Sequence, residues 1–468
     1  MNSIQTNVIG KPKKNSLFFL VIFRSLILAI LFSIISQFDV FGIKAATSLH
    51  SEAIFSRFFS SRIYPDNAQN EISVVLIGDD FLNATNQTWP MPYNVLSGKL
   101  AEIFAYEPKA VFIDILFQQR HLAKGKLESL MLTINAYKDS IPIYIPLSML
   151  GSLEDATCNP SLPLTMKDID QGSVIEKVRS LKINHSYIRW AGCGTRYPLY
   201  LGGNSRLPTP ALSMFQAYCK LENYRPDICA EMKSLSSIKE SFAEPMVIQW
   251  GGMASKKQQE LMIEYGTPCN DTGFWAQLRS LIPQTMDSRK ERGLRQLCPH
   301  TNTLNMVQFL TSTEDSHKLL TDYIRGRYVF IGANVAAIPD LIENPVNGKI
   351  SGVYLLAMAF DNLINYGHNY FRELSVFEKI LEEFLIIFVV LCLLDWSNHI
   401  LRNRTRKFRF IVIKLLLPVV LCLLISYFFW YYCRQSPVDW IGISLIAFIM
   451  NPLSIYKDIT DWLKRKSI

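Results

Sequence analysis

Three carboxylates stand where they could do chemistry. Asp79 and Asp80 close the apolar run Ile72–Gly78, and Asp114 lies inside a second run at 110–117. If both runs are strands and parallel neighbours, all three acids reach one sheet edge, where open α/β sheets place ligands. Oxygen donors gathered there could hold a divalent cation. The competing reading is architectural, because short acidic side chains bond backbone N–H groups at turns and helix starts. The architectural reading is the preferred one. Trp89-Pro90-Met91-Pro92 then makes a rigid turn with one aromatic anchor. No metal site and no cofactor are expected.

Catalytic arrangements are absent from the pattern. The seven histidines are scattered, and neither G-x-S-x-G nor H-E-x-x-H occurs. Cys298-Pro299-His300 sets a thiol near an imidazole, but in an oxidising compartment that cysteine is expected to be bridged. The stretch GANVAAIPDL at 332–341 has a strand-terminal glycine rather than a phosphate-cradling G-x-G-x-x-G. Asp340 is read as ordering that loop. The chain is not expected to be an enzyme.

The elements that position these residues follow from periodicity. Runs at 72–78, 110–117 and 327–333 are short, rich in Val, Ile and Phe, and bounded by breakers, as fully buried strands are. Further strands are expected at 141–147 and 246–250, the first at a sheet edge because it carries two prolines. Leu96, Leu100, Ile103 and Phe104 share one helical face. Val353, Leu356, Ala357, Phe360, Leu363 and Ile364 share another, with Gly367 as the stop. Thr209 and Pro210 read as N-cap and first residue of a third helix. Strand–helix alternation implies an α/β fold, a mixed or parallel sheet flanked by helices.

Between about 150 and 315 the pattern loosens into an insertion containing Cys158, Cys193, Cys219, Cys229, Cys269 and Cys298. Six cysteines without zinc-type spacing are read as disulfide candidates of open connectivity. Cys392, Cys422 and Cys433 lie in or beside apolar blocks instead.

Those blocks decide the class. At 49% apolar and 19% charged, the chain is too apolar for an ordinary soluble protein, and the excess is concentrated at the two ends. Crossing a bilayer takes about 20 largely apolar residues. Spans are expected at 16–37, 377–396, 410–432 and 438–456, one before and three after an outer domain at 38–376. Positive charge in short segments sets the orientation. The N-terminus 1–15, the loop 397–409 and the tail 457–468 are basic and read as cytoplasmic, while 433–437 is a short external loop. The net charge of +8 is thereby a membrane signature, and no nucleic-acid partner is read from it. Arg24 would be odd in a cleaved signal core, so the first span reads as an anchor. Arg24 either snorkels or pairs with Asp395 at the same face.

With these segments in place, the outer region resembles the second class of CHASE domain, the cyclase/histidine kinase-associated sensory extracellular type. VVLIGDDFL…TWPMPYNVLSGKLAEIFAYEPKAVFIDILF is similar to the family's strand, acidic pair, Trp-Pro turn, helix and following strand. SYIRW…RLPTPALSMF resembles its middle section, with Arg189 before a Pro-containing helix start. GRYVFIGANVAAIPDLIENPVNGKISGVYLLAMAFDNLIN resembles its closing strand, Asp-Leu and Gly-Val helix. Tyr93 stands where an arginine is common, and Leu356 where a histidine is.

The resemblance implies a bacterial inner-membrane sensor with its large domain on the periplasmic or external side. Asp79, Asp80, Asp114, Arg189 and Asp340 are then the candidate ligand-binding residues. Family members usually carry a cyclase, kinase or similar output after the spans. Here the chain ends within about a dozen residues of the last one, so the effector is expected to be a separate membrane or cytoplasmic protein. The alternative is a structural subunit of a cell-envelope complex, with Glu382, Glu383 and Asp395 pairing to neighbouring subunits. Self-association is possible under either reading.

Overall fold

The structure, a computed structural model, describes residues 19, 22–23, 25–31, 33–34, 43–117, 127–148, 177, 180–188, 196–201, 207–221, 225–252, 254–264, 298–336, 340–373, 375–401, 407–437 and 439–449. Two compact units result: Phe55–Glu373, and the terminal segments Met1–Ile54 with Leu374–Ile468. The helix Ile43–Phe55 groups with the terminal segments as far as Ile54.

Among the described residues of the first unit, six strands form one sheet. They are β1 (Ile72–Gly78), β2 (Ala110–Asp114), β3 (Ile143–Ser148), β4 (Asn184–Ile188), β9 (Asn302–Asn305) and β10 (Tyr328–Asn334), in the order β4-β3-β2-β10-β1-β9. Every pairing in it is parallel. Small antiparallel pairs surround it: β5 (Arg196–Tyr197) with β8 (Met246–Val247), β6 (Tyr200–Leu201) with β7 (Leu207–Pro208), and β11 (Leu341–Asn344) with β12 (Gly348–Ser351).

The alternation of strand side chains builds two cores. Ile72, Val74, Leu76, Phe112, Tyr328 and Phe330 point to one face, where α3 (Pro210–Leu221) and α5 (Val353–Tyr366) cover them. Val75, Ile77, Val111, Ile113, Val329 and Ile331 point to the other, under α1 (Tyr93–Ala105), α2 (Leu127–Tyr137) and α4 (Glu314–Ile324). Each such burial stabilises by roughly 1.5–3 kcal/mol before chain entropy is counted. The sheet is thus covered on both faces, which is why its central strands read as unbroken apolar runs.

Local differences have local causes. β3 is an interior strand, not an edge. Its pairing with β2 covers only Ile143 and Tyr144, so the missing N–H of Pro146 falls beyond the end of that ladder. The expected strand at 246–250 shrinks to Met246–Val247 and lies outside the main sheet, while Ile248 and Trp250 continue as buried extended chain. Pro210 opens α3 as expected, but the Thr209 hydroxyl donates to the Leu199 carbonyl (3.1 Å), and the N–H of Ala211 finds the Tyr197 hydroxyl (3.2 Å). Gly367 ends α5 at φ +57°, a conformation that glycine adopts without a Cβ penalty. Cys219 and Cys229 form a disulfide, and Cys298 is disulfide-bonded as well. Cys158, Cys193 and Cys269 lie outside the described residues.

In the second unit the helices Val376–Leu401, Lys407–Phe428 and Trp440–Ile449 follow one another. Ala29, Ile386, Ile387, Val390, Cys422 and Ile443 pack into their shared core. Their outer faces are apolar too. Phe377, Leu381, Leu385, Val389 and Leu393 form one exposed stripe, and Leu416, Val420, Leu424 and Phe428 another, at the i, i+4 spacing of a helix face. Among the described residues, Leu416–Cys433 is the stretch long and apolar enough to cross a membrane by length and composition. Cys392, Cys422 and Cys433 are free thiols.

A carboxylate organises this unit as well. Asp439 accepts from the Thr47 hydroxyl (2.6 Å), the Ser51 hydroxyl (2.8 Å) and the N–H of Gly442 (2.9 Å). Trp440 Nε1 donates to the Ser51 carbonyl (3.1 Å). These bonds cap the helix Trp440–Ile449 and hold it to the helix Ile43–Phe55.

Candidate functional site

The strand register places the acids. Leu76 of β1, Gly332 of β10 and Asp114 of β2 stand side by side, so Asp79 and Asp114 flank β10 from opposite sides. Two strand spacings, about 10 Å, separate them laterally. β1 and β2 are therefore not neighbours, and the three acids do not converge as adjacent strands would make them. Asp79 Oδ2 accepts from the N–H of Ala336 (3.0 Å), and Asp80 Oδ1 from the N–H of Phe81 (2.9 Å) in the short helix Asp79–Ala84. Both side chains are exposed and bond backbone at the ends of β1 and β10.

Asp114 has a different partner. Burial pushes its carboxyl up to about 8, and the charge of Asp340 adds to the shift. Burial also raises Asp340, whose carbonyl accepts from the N–H of Gly352 (2.8 Å) at the start of α5. With its carboxyl raised that far, Asp114 keeps its proton at neutral pH and can donate a hydrogen bond. That suits hydrogen-bond recognition of a polar group, whereas a cation needs ionised oxygens. Among the described residues no group of three or more His, Cys, Asp or Glu is placed to hold a metal. Arg24 and Arg189 lie outside the described residues, as does the side chain of Asp395. Tyr93 and Leu356 are buried in opposite cores, on the two sides of the sheet.

A second polar cluster, not anticipated from the sequence, is more deeply buried. The Tyr64 hydroxyl donates to Asp361 Oδ1 and accepts from Asn362 Nδ2 (3.0 Å). Asn365 Nδ2 donates to the same carboxylate oxygen (2.8 Å). His300 Nε2 lies 3.8 Å from Asp361 Oδ2, with both side chains within 2% of complete burial. The Tyr64 and His300 rings meet edge to face, their centroids 5.2 Å apart. Asn362 bonds both the N–H and the carbonyl of Gln249 (2.9 Å each), joining α5 to the 246–252 segment. Gly251 accommodates the imidazole: a Cβ there would come within 2.4 Å of the His300 ring. Burial raises the Asp361 carboxyl, and His300 is the largest opposing influence. The signal available in the sequence is the pair Asp361-Asn362 set into the apolar face of α5. His300 is visible only as the end of Cys-Pro-His, and Tyr64 carries no pattern at all.

A family model, the CHASE2 domain, matches residues 26–394. No curated protein and no solved structure matches the chain.

Proposed function

The chain belongs to the CHASE2 family of extracellular sensory domains, and from that premise we propose that it is a membrane-anchored sensor without catalytic activity. The α/β unit faces the periplasm or exterior of a bacterial inner membrane, meets a cue there, and passes it through the membrane helices to a separate effector. The observation that carries this reading is the extent of the family match, which spans the whole α/β unit and reaches helices of the second unit at both ends. The outward apolar stripes support the anchoring, since large exposed apolar patches mark contact with a membrane or another protein.

A cue acts on such a protein only by binding its two states with different affinity. The polar edge around Asp114 and Asp340 is the proposed contact for it, with Arg189 as the third candidate. Purification in mild detergent after in-cell crosslinking tests the reading: a co-purifying cyclase, kinase or other signalling protein is the expected result. Recovery of the chain alone contradicts it. Stoichiometric recovery with envelope structural proteins selects the docking-subunit alternative, in which Glu382 and Glu383 of the helix Val376–Leu401 face a neighbour.

A further inference from the structure

We propose that His300 and Asp361 form a proton-operated latch that fastens the chain at Tyr64 to helix α5. The hydrogen bonding of Asp361 is unbalanced. Asp361 Oδ1 is bonded by Tyr64 and Asn365, while Oδ2 accepts no hydrogen bond and faces His300 Nε2 at 3.8 Å. A carboxylate taken fully out of water with one oxygen unbonded is costly. One added proton on the carboxyl removes the cost and leaves a neutral acid beside the imidazole.

The titratable groups facing Asp361 among the described residues are few. His300 comes from the 298–301 segment and Tyr64 from the end of the helical run Ile43–Phe55, Ser56–Ser60 and Ser61–Ile63. Tyr366 approaches Tyr64 from α5 itself, ring to ring at 6.2 Å. Burial and the Asp361 charge hold the Tyr64 hydroxyl well above its ordinary range, so it stays a donor throughout. The remaining contacts, Asn362, Asn365 and Gln249, are neutral amides. The proton on which the latch turns is therefore that of Asp361.

The sign follows from the direction of the Asp361 shift. The folded chain holds this proton more tightly than the unfolded one, so the latch is strongest in acid and is lost as pH rises through the folded value. Its place in the chain gives it consequence. Tyr64 and Asp361 each lie within about a dozen residues of a boundary of the α/β unit, Phe55 and Glu373. The N–H of Gly252, next to the glycine against which His300 rests, donates to the Ser61 carbonyl (3.0 Å), so the fastening includes the approach to Tyr64. The inference stands apart from the choice between sensor and docking subunit, since either would carry the same latch.

Hydrogen exchange of the full chain in detergent tests it, read between pH 4.5 and 8.5 and corrected for intrinsic rates. Peptides covering 60–66 and 358–366 are expected to lose about tenfold in protection over one pH unit of titration, while peptides from β1 and β10 stay constant. Asp361→Asn preserves the bond from Tyr64 and removes the charge. It is expected to hold the acid level of protection at every pH, and Tyr64→Phe to lower protection even in acid. Constant protection of 60–66 and 358–366 in the wild type across this range overturns the proposal, whether or not the variants fold. So does a pH response in Asp361→Asn equal to that of the wild type.

Discussion

At the residue scale, what a carboxylate does here is decided by its surroundings. Asp79 and Asp80 are exposed and bond backbone N–H groups. Asp114 and Asp340 are shielded, and burial raises both carboxyls. Because Asp114 is raised in the folded chain, the folded state retains a proton that the unfolded chain releases. Stability therefore falls as pH climbs from the ordinary carboxylate range towards about 8. Asp114→Asn removes that penalty. Chemical denaturation in detergent is expected to show the variant equal to wild type near pH 4 and more stable by about 1–3 kcal/mol near pH 8. A variant less stable at pH 8 contradicts the assignment. Asp79 and Asp80 were legible in the sequence as strand-end residues, and Asp114 as a residue inside a strand at 110–117, whereas β2 ends at Asp114 itself. Their separation was not, because strand order is a property of the sheet and β10 enters between β1 and β2 from more than two hundred residues away.

At the scale of elements, the legible ones have a repeating apolar period. Helix α5 is readable from Val353 to Ile364 because its buried positions recur at three and four, and β1, β2 and β10 because they are apolar throughout. Edge strand β9 has the sequence Asn-Thr-Leu-Asn and gives no such signal. It is buried because side chains serve as its neighbour: the N–H of Thr303 donates to Gln258 Oε1 (2.9 Å), and Gln258 Nε2 donates to the Thr303 carbonyl (3.1 Å). That exchange blunts the edge that an unpaired strand would offer to another chain. Gln258→Ala leaves both backbone groups of Thr303 without these partners and is expected to cost about 2–4 kcal/mol, read as a lowered denaturation midpoint. A neutral result contradicts the pairing.

Two other elements are held by single features. The Cys219–Cys229 bridge closes a short loop after α3, and replacing both residues by serine is expected to cost about 2–3 kcal/mol, with oxidised and reduced wild type compared by thermal unfolding. Asp439→Ala removes the cap of the helix Trp440–Ile449 together with the acceptors of Thr47 and Ser51. A loss of about 1–2 kcal/mol and faster proteolysis within 43–55 are expected. Unchanged proteolysis would show that the clamp does not hold this segment.

At the scale of the whole molecule, the two units treat apolar surface differently. The α/β unit buries it on both faces of its sheet, as a folded module in water does. The second unit buries it inside and displays it outside as well, and its stretch Leu416–Cys433 is long and apolar enough to cross a membrane by length and composition. The apolar stretch Leu416–Cys433 was legible at once, since length and hydropathy need no tertiary partner. The described parts of the insertion were the hardest, because they are tied by the Cys219–Cys229 bridge and by side chains such as Tyr197 and Gln258 that follow no period.

Placement of the α/β unit outside the cytoplasm is tested most directly by a pair of topology reporters. One is inserted after Glu244 in that unit, and the other in the basic loop at 402–406. The account predicts a reporter active only outside the cytoplasm to work at 244 and fail in the loop, and a reporter active only inside to do the reverse. Cytoplasmic activity at 244 would contradict it.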